Sequence, residues 1–302
     1  MKRLVARPVS TERLDLGEGC RWDEVTQRLQ WVDVFTGRLF EAAYDGSQLT
    51  DTVEVAVDGV LTATAPLVDR SGWIVAANQG IALLSRAGAI TWLAEPEAGK
   101  GGAVRMNDAA CDPAGRFWAG SMAFDASPGA GSLYRYDVDA ACSQVLTDLT
   151  ISNGLGWSID GRRMYHVDSG AATLTVYDYE LERGHLSGGT PLVVLDEGQG
   201  VPDGLCVDSQ DHLWVAIWGA GEVRRYSPEG ELVCVVDVAA SQPSSCALGG
   251  ADGRQLFITT ARRDVTPEVL DRQPDAGRLF TVEVDVPGLP LHAFRGPGLP
   301  GR

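Results

Sequence analysis

The chain has 302 residues and a formal net charge of −16. That acidic balance excludes the basic patches that nucleic-acid phosphates and anionic membrane surfaces demand, so neither is an expected partner. The length allows one or two domains with a large core. No linker or low-complexity run divides the chain, so the expectation is one domain over residues 1–302 without an obligate protein partner.

The N-terminal stretch Met1 to Pro8 carries charges but no apolar run of the signal-peptide kind. No apolar run anywhere reaches the roughly 20 residues of a membrane span. Cys20, Cys111, Cys142, Cys206, Cys234 and Cys246 are scattered without a C-x-x-C pair, which predicts buried thiols in a cytoplasmic protein.

Strand signals then dominate in chain order. Trp31-Val32-Asp33-Val34 leads through Thr36-Gly37 into Arg38 to Ala42, an alternating pair of runs about a glycine turn. The same strand–turn–strand layout recurs at 72–84, 116–136, 163–177, 213–226 and 255–282. About six units at a spacing of roughly 42–50 residues fit the four-stranded blades of a propeller. The turns Asp112-Pro113-Ala114-Gly115 and Ser158-Ile159-Asp160-Gly161 suit tight reversals, because Asp and Ser bond the backbone and Gly accepts positive φ. The fold class expected is therefore all-β, a β-propeller, with a strand near Thr11 to Leu14 completing the last blade. The insert from Arg262 to Ala276, with Pro267 and Pro274, predicts a surface loop with a short helical turn.

Four polar residues stand at one place in this repeat. Glu18, Asn107, Asn153 and Asp203 each lie five positions before an Asp or Ser that opens a turn: Asp23, Asp112, Ser158 and Asp208. A ring of blades brings such residues together at one mouth of the central channel. Two carboxylates so forced together repel unless a cation or proton intervenes. Carboxylate, amide and carboxylate make an all-oxygen shell suited to Ca²⁺, Mg²⁺ or Mn²⁺. The spacing leaves a second reading open, in which these residues only cap turns or bond channel water. The four histidines are isolated, and no G-x-S-x-G elbow, Walker loop or dinucleotide fingerprint is present. Trp157 and Trp218 are candidates for the mouth or for packing, and Asp108 for a structural partner.

From Leu16-Gly17-Glu18-Gly19 to Gly277-Arg278-Leu279-Phe280 the chain resembles the SMP-30/gluconolactonase/LRE-like family. The resemblance is carried by Arg105-Met106-Asn107-Asp108, by Asp112 to Met122, by Ile151 to Ser158 and by Val201 to Asp208. It implies a six-bladed propeller with one divalent cation (Ca²⁺, Zn²⁺, Mn²⁺, Mg²⁺ or Fe²⁺) on Glu18, Asn153 and Asp203. It further implies that Arg105 and Asn107 hold substrate oxygens, with Asp125 as a further contact where the family often has Glu. Gly17-Glu18-Gly19-Cys20 stands where the family commonly has Gly-Glu-Gly/Ser-Pro, so Cys20 takes the place of the proline. The activity implied is hydrolysis of a sugar lactone, such as a glucono-, xylono- or arabinonolactone, to the aldonic acid. Asp203 is the candidate general base, and a hydroxide on the cation is the other candidate nucleophile. The alternatives are a non-enzymatic Ca²⁺-binding propeller and a hydrolase of other esters or organophosphates.

Overall fold

A computed structural model of the protein describes residues 1–296; the last six residues of the expected 1–302 domain lie outside the described part. Six antiparallel sheets form the blades of a six-bladed β-propeller. Their innermost strands are Gly17–Asp23, Leu61–Pro66, Val104–Cys111, Ser152–Trp157, Val201–Val207 and Pro243–Gly249. These strands begin between 42 and 49 residues apart. Strands such as Leu61–Pro66 and Phe117–Ala123 are buried at every position, because each blade packs both faces on its neighbours. Hence they read as small apolar runs rather than as strict alternation. Between blades 2 and 3, for example, Ala63, Ala65 and Ile74 meet Met106, Ala109 and Phe117.

In blades 3 and 5 the turn acid organises the blade from within. Asp112 accepts from the backbone of Ala114 (2.9 Å) and Arg116 (3.0 Å) and from Trp118 Nε1 (3.2 Å). Asp208 does the same with Gln210, His212 and Trp214 Nε1. The repeated acid, turn and aromatic is thus one hydrogen-bonded unit that ties the end of the innermost strand to the next strand.

Closure differs from expectation. Arg7–Pro8, not Thr11 to Leu14, supplies the outer strand of the last blade, pairing antiparallel with Phe280–Glu283. Lys2–Val5 runs parallel to Leu232–Asp237 as a fifth strand on blade 5. Proline suits such an edge, where no amide need be donated. Leu14 is instead drawn inward, fully buried, with its N–H on the Gly277 carbonyl. The insert carries a short helix, Pro267–Leu270. After the last strand the chain crosses the far mouth of the channel. Gly288 bridges to Asp208, Leu291 N donates to Glu24 (3.1 Å), Phe294 N to Pro66 O (2.9 Å) and Arg295 N to Gly115 O (3.0 Å). Among the described residues no helix is long and apolar enough to cross a membrane.

Candidate metal and substrate site

Each innermost strand carries one irregularity near its start. The register shifts between Glu18 and Arg21, Leu61 and Ala63, Met106 and Ala109, Ser152 and Leu155, Pro202 and Leu205, and Pro243 and Ser245. A bulge frees a residue from the ladder and re-aims its side chain. In blades 3, 4 and 5 the first freed residue is Asn107, Asn153 or Asp203. In blade 1 the shift falls one residue later: Glu18 still pairs with Val32, and Gly19 takes a φ of 59°. The four residues therefore match in distance to the turn but not in register. Glu18 comes from the ladder, the other three from bulges. In blades 2 and 6 hydroxyls stand there instead, with Thr62 on the Ala76 carbonyl and Ser244 on the Gly17 carbonyl.

Glu18, Asn107, Asn153, Asp203 and Arg105 line one cavity of about 280 Å³ at the mouth where these strands start. Asp203 and Asn153 are buried. Burial first, and the charges of Asp203 and Asp108 second, push the Glu18 carboxyl well above its ordinary range. Burial and Asp108 do the same to Asp203. Asp203 Oδ1 is buried without a hydrogen-bond partner. Asn153 Nδ2 donates to Ser169 Oγ (3.0 Å), which donates to the Pro202 carbonyl (2.6 Å), leaving Asn153 Oδ1 as an acceptor. Glu18 Oε2 meets only the N–H of Gly19, at 3.2 Å. One unpartnered carboxylate oxygen, beside a second carboxylate with a single donor and an amide, fits a hard divalent cation. Among the described residues no group of three or more His, Cys, Asp or Glu gathers as a ligand set, so the donor set here is two carboxylates and an amide.

Arg105 is almost wholly buried. Its Nη1 donates to Asn107 Oδ1 (2.7 Å) and to the Met106 carbonyl (2.9 Å), while Nε is unpartnered. The guanidinium lies over Phe35 (5.5 Å) and Phe124 (5.9 Å). Burial lowers its pKa to about 10 against the upward pull of Glu18 and Asp203. Asn107 Nδ2 in turn donates to the Ser152 carbonyl (3.0 Å), which fixes the pair to the next blade.

Not every expected residue arrives. Asp125 is exposed and absent from the cavity lining; its Oδ1 accepts from Ser127 N (3.0 Å) and Oγ (2.7 Å), and its neighbour Phe124 takes the place. Trp218 lines this cavity. Trp157 lines a different one at the far mouth and packs on Trp118. Asp108 is buried 3.7 Å from Arg21. Sequence reasoning missed Phe35, Phe124, Ser169, Arg263 and Asp264, all in the lining. Phe35 sits in a hairpin turn, where an aromatic with no strand to pack was the available signal. Arg263 lies in the insert, which has no counterpart in the other blades.

Fold and site together define a six-bladed propeller whose channel opens, at one end only, into a pocket of carboxylate, amide and guanidinium. The chain belongs to the SMP-30/gluconolactonase/LRE-like family, whose profile matches residues 16–262. Regucalcin of Oryctolagus cuniculus is 33% identical over 298 residues, 95% of this chain and 97% of that one. Bacillus subtilis YvrE, provisionally named a sugar lactone lactonase, is 30% identical over 286 residues, 94% of this chain and 96% of that one. A solved Agrobacterium tumefaciens structure, described as a calcium-binding protein, regucalcin, superposes with a TM-score of 0.90 at 26% identity, covering 97% and 98% of the two chains.

Proposed function

We propose that the protein hydrolyses the lactone of a sugar acid to the open-chain acid, with one divalent cation held by Glu18, Asn153 and Asp203. The observation that carries this reading is the unpartnered, buried Asp203 Oδ1 facing the same cavity as the Arg105–Asn107 pair. Family membership, with a relative provisionally named a sugar lactone lactonase, supports the reaction class. When bound, the cation supplies positive charge that draws electron density from the lactone carbonyl oxygen. Asp203 accepts the proton of the water that attacks the carbonyl carbon. The ring C–O bond then breaks, and the departing oxygen takes up a proton as the new hydroxyl. Arg105, clamped between two aromatic rings, holds an oxygen of the sugar; Asn107 fixes that guanidinium and has a second amide hydrogen for a neighbouring hydroxyl.

The test is proton release at constant pH with pentono- and hexonolactones, on chelator-treated protein and after separate return of Ca²⁺, Mg²⁺, Mn²⁺, Zn²⁺ and Fe²⁺. Turnover restored by a metal is the expected result. Tight metal binding with no turnover of any lactone overturns it in favour of a binding propeller or another ester substrate. Asp203→Ala is expected to remove at least about 100-fold of kcat, the scale of a lost electrostatic contact in a dry site, and to weaken metal binding measured by calorimetry.

A further inference from the structure

Resting on the lactonase reading, we infer that Arg263 makes this pocket selective for lactones that carry a second acid group, a carboxylate at the end of the sugar remote from the reacting carbonyl. Arg263 comes from the root of the insert, not from the repeat. Its backbone N–H and that of Arg262 both donate to the Asp15 carbonyl at 3.0 Å, so the root is pinned. Its guanidinium carbon lies over Phe35, 3.7 Å from the ring centre, and Nη1 donates to Asp15 Oδ2 (2.7 Å). Stacked and tethered in this way, the half-exposed guanidinium has a preferred place at the pocket.

Phe35 therefore carries two guanidiniums, Arg263 at 3.7 Å and Arg105 at 5.5 Å, and both line the cavity. Like charges held that close repel, and the arrangement is favoured when an anion lies between or beside them. Arg263 spends one nitrogen on Asp15, Nε is 4.0 Å from Asp264 Oδ2, and among the described residues Nη2 makes no hydrogen bond. Asp264, also in the lining, sits in the left-handed region at φ 58°, a strained place for a residue with a side chain. The charges also indicate which anion. Once a divalent cation offsets Glu18 and Asp203, Arg105 and Arg263 stand against Asp264 in the lining and Asp15 beside it. So balanced a set disfavours a phosphate dianion more than a carboxylate monoanion, and a planar carboxylate matches the edge of the guanidinium that Asp15 leaves open.

The test compares kcat/KM for a neutral aldonolactone, the matching lactone with a terminal carboxylate, and the matching lactone with a terminal phosphate, on metal-loaded wild type, Arg263→Gln and Arg263→Lys. Wild type is expected to prefer the carboxylated lactone by about tenfold or more, the phosphorylated one ranking below it. Arg263→Gln should lose about 10–100-fold on the carboxylated lactone and less than about threefold on the neutral one, with Arg263→Lys between. Equal losses on both, or a wild-type preference for the neutral lactone, overturn the inference while leaving the lactonase reading intact. A preference for the phosphorylated lactone overturns the choice of carboxylate. If no lactone turns over, the lactonase reading fails, and calorimetry of the ring-opened dicarboxylate against the monocarboxylate decides. Tighter dicarboxylate binding that Arg263→Gln abolishes supports the arginine's role, and equal binding overturns it.

Discussion

Arg105 is costly to bury and is held by cheap means: one side chain, one carbonyl and two ring faces. A lysine keeps the charge but not the plane that lies between Phe35 and Phe124. Arg105→Lys should therefore cost about 10–100-fold in kcat/KM while metal affinity by calorimetry stays within about twofold; unchanged kinetics would remove Arg105 from substrate binding. His166 is a second residue whose setting is informative. It is buried, shares a 2.8 Å hydrogen bond between Nε2 and Ser152 Oγ, and burial lowers its pKa from 6.5 to about 4. The unfolded chain thus binds the proton more readily. Stability from this group is fully present above pH 6.5 and falls as pH drops toward 4, by about 3 kcal/mol at most. His166→Gln should flatten the difference in urea midpoint between pH 7.5 and pH 5; a slope equal to wild type would refute it. At this scale Glu18, Asn107, Asn153 and Asp203 were legible because each stands at a fixed distance from a turn residue. Asp125 stands outside the cavity lining because Ser127, two residues on, captures its carboxylate. That competition depends on local backbone, with Ala126 at φ 54°, which composition does not reveal.

At the scale of the strand, the bulge is the device that turns a ladder into a binding wall. It works only if neighbouring innermost strands come very close. A Cβ on Gly204 would stand 2.5 Å from Ser245 Oγ and 2.8 Å from Ser245 Cα, and one on Gly154 2.5 Å from the Asp203 carbonyl. Gly204→Ala must push two blades apart exactly where Asp203 is aimed. It is expected to destabilise by roughly 1–3 kcal/mol and to lower metal affinity, measured by denaturant unfolding and calorimetry. Gly99→Ala, where a Cβ meets nothing within 4 Å, is the matched control. The Gly after Asn153 and Asp203 was visible in the sequence, but its reason was not, since the crowding atom belongs to another blade some 40–50 residues away.

At the scale of the ring, the number of blades followed from hairpin spacing, whereas the closure did not. Thr11 to Leu14 has the polarity of an edge strand, yet Leu14 is more stable buried, and the pairing passes to Arg7–Pro8. Removing residues 1–8 should bare the edges Leu232–Asp237 and Phe280–Glu283, lower Tm by about 5 °C or more and promote association at high concentration. Removing only residues 1–5 should do less, because the last blade keeps its outer strand; equal behaviour of the two truncations would show that closure lies elsewhere. Residues 288–295 cross the far mouth and line a separate cavity there, so the strap narrows that end of the channel. On the lactonase reading, a product that leaves by the mouth its compact ring entered is longer and newly acidic, and it passes the same two arginines. Egress then competes with the next arrival, and the product becomes the natural brake on its own formation.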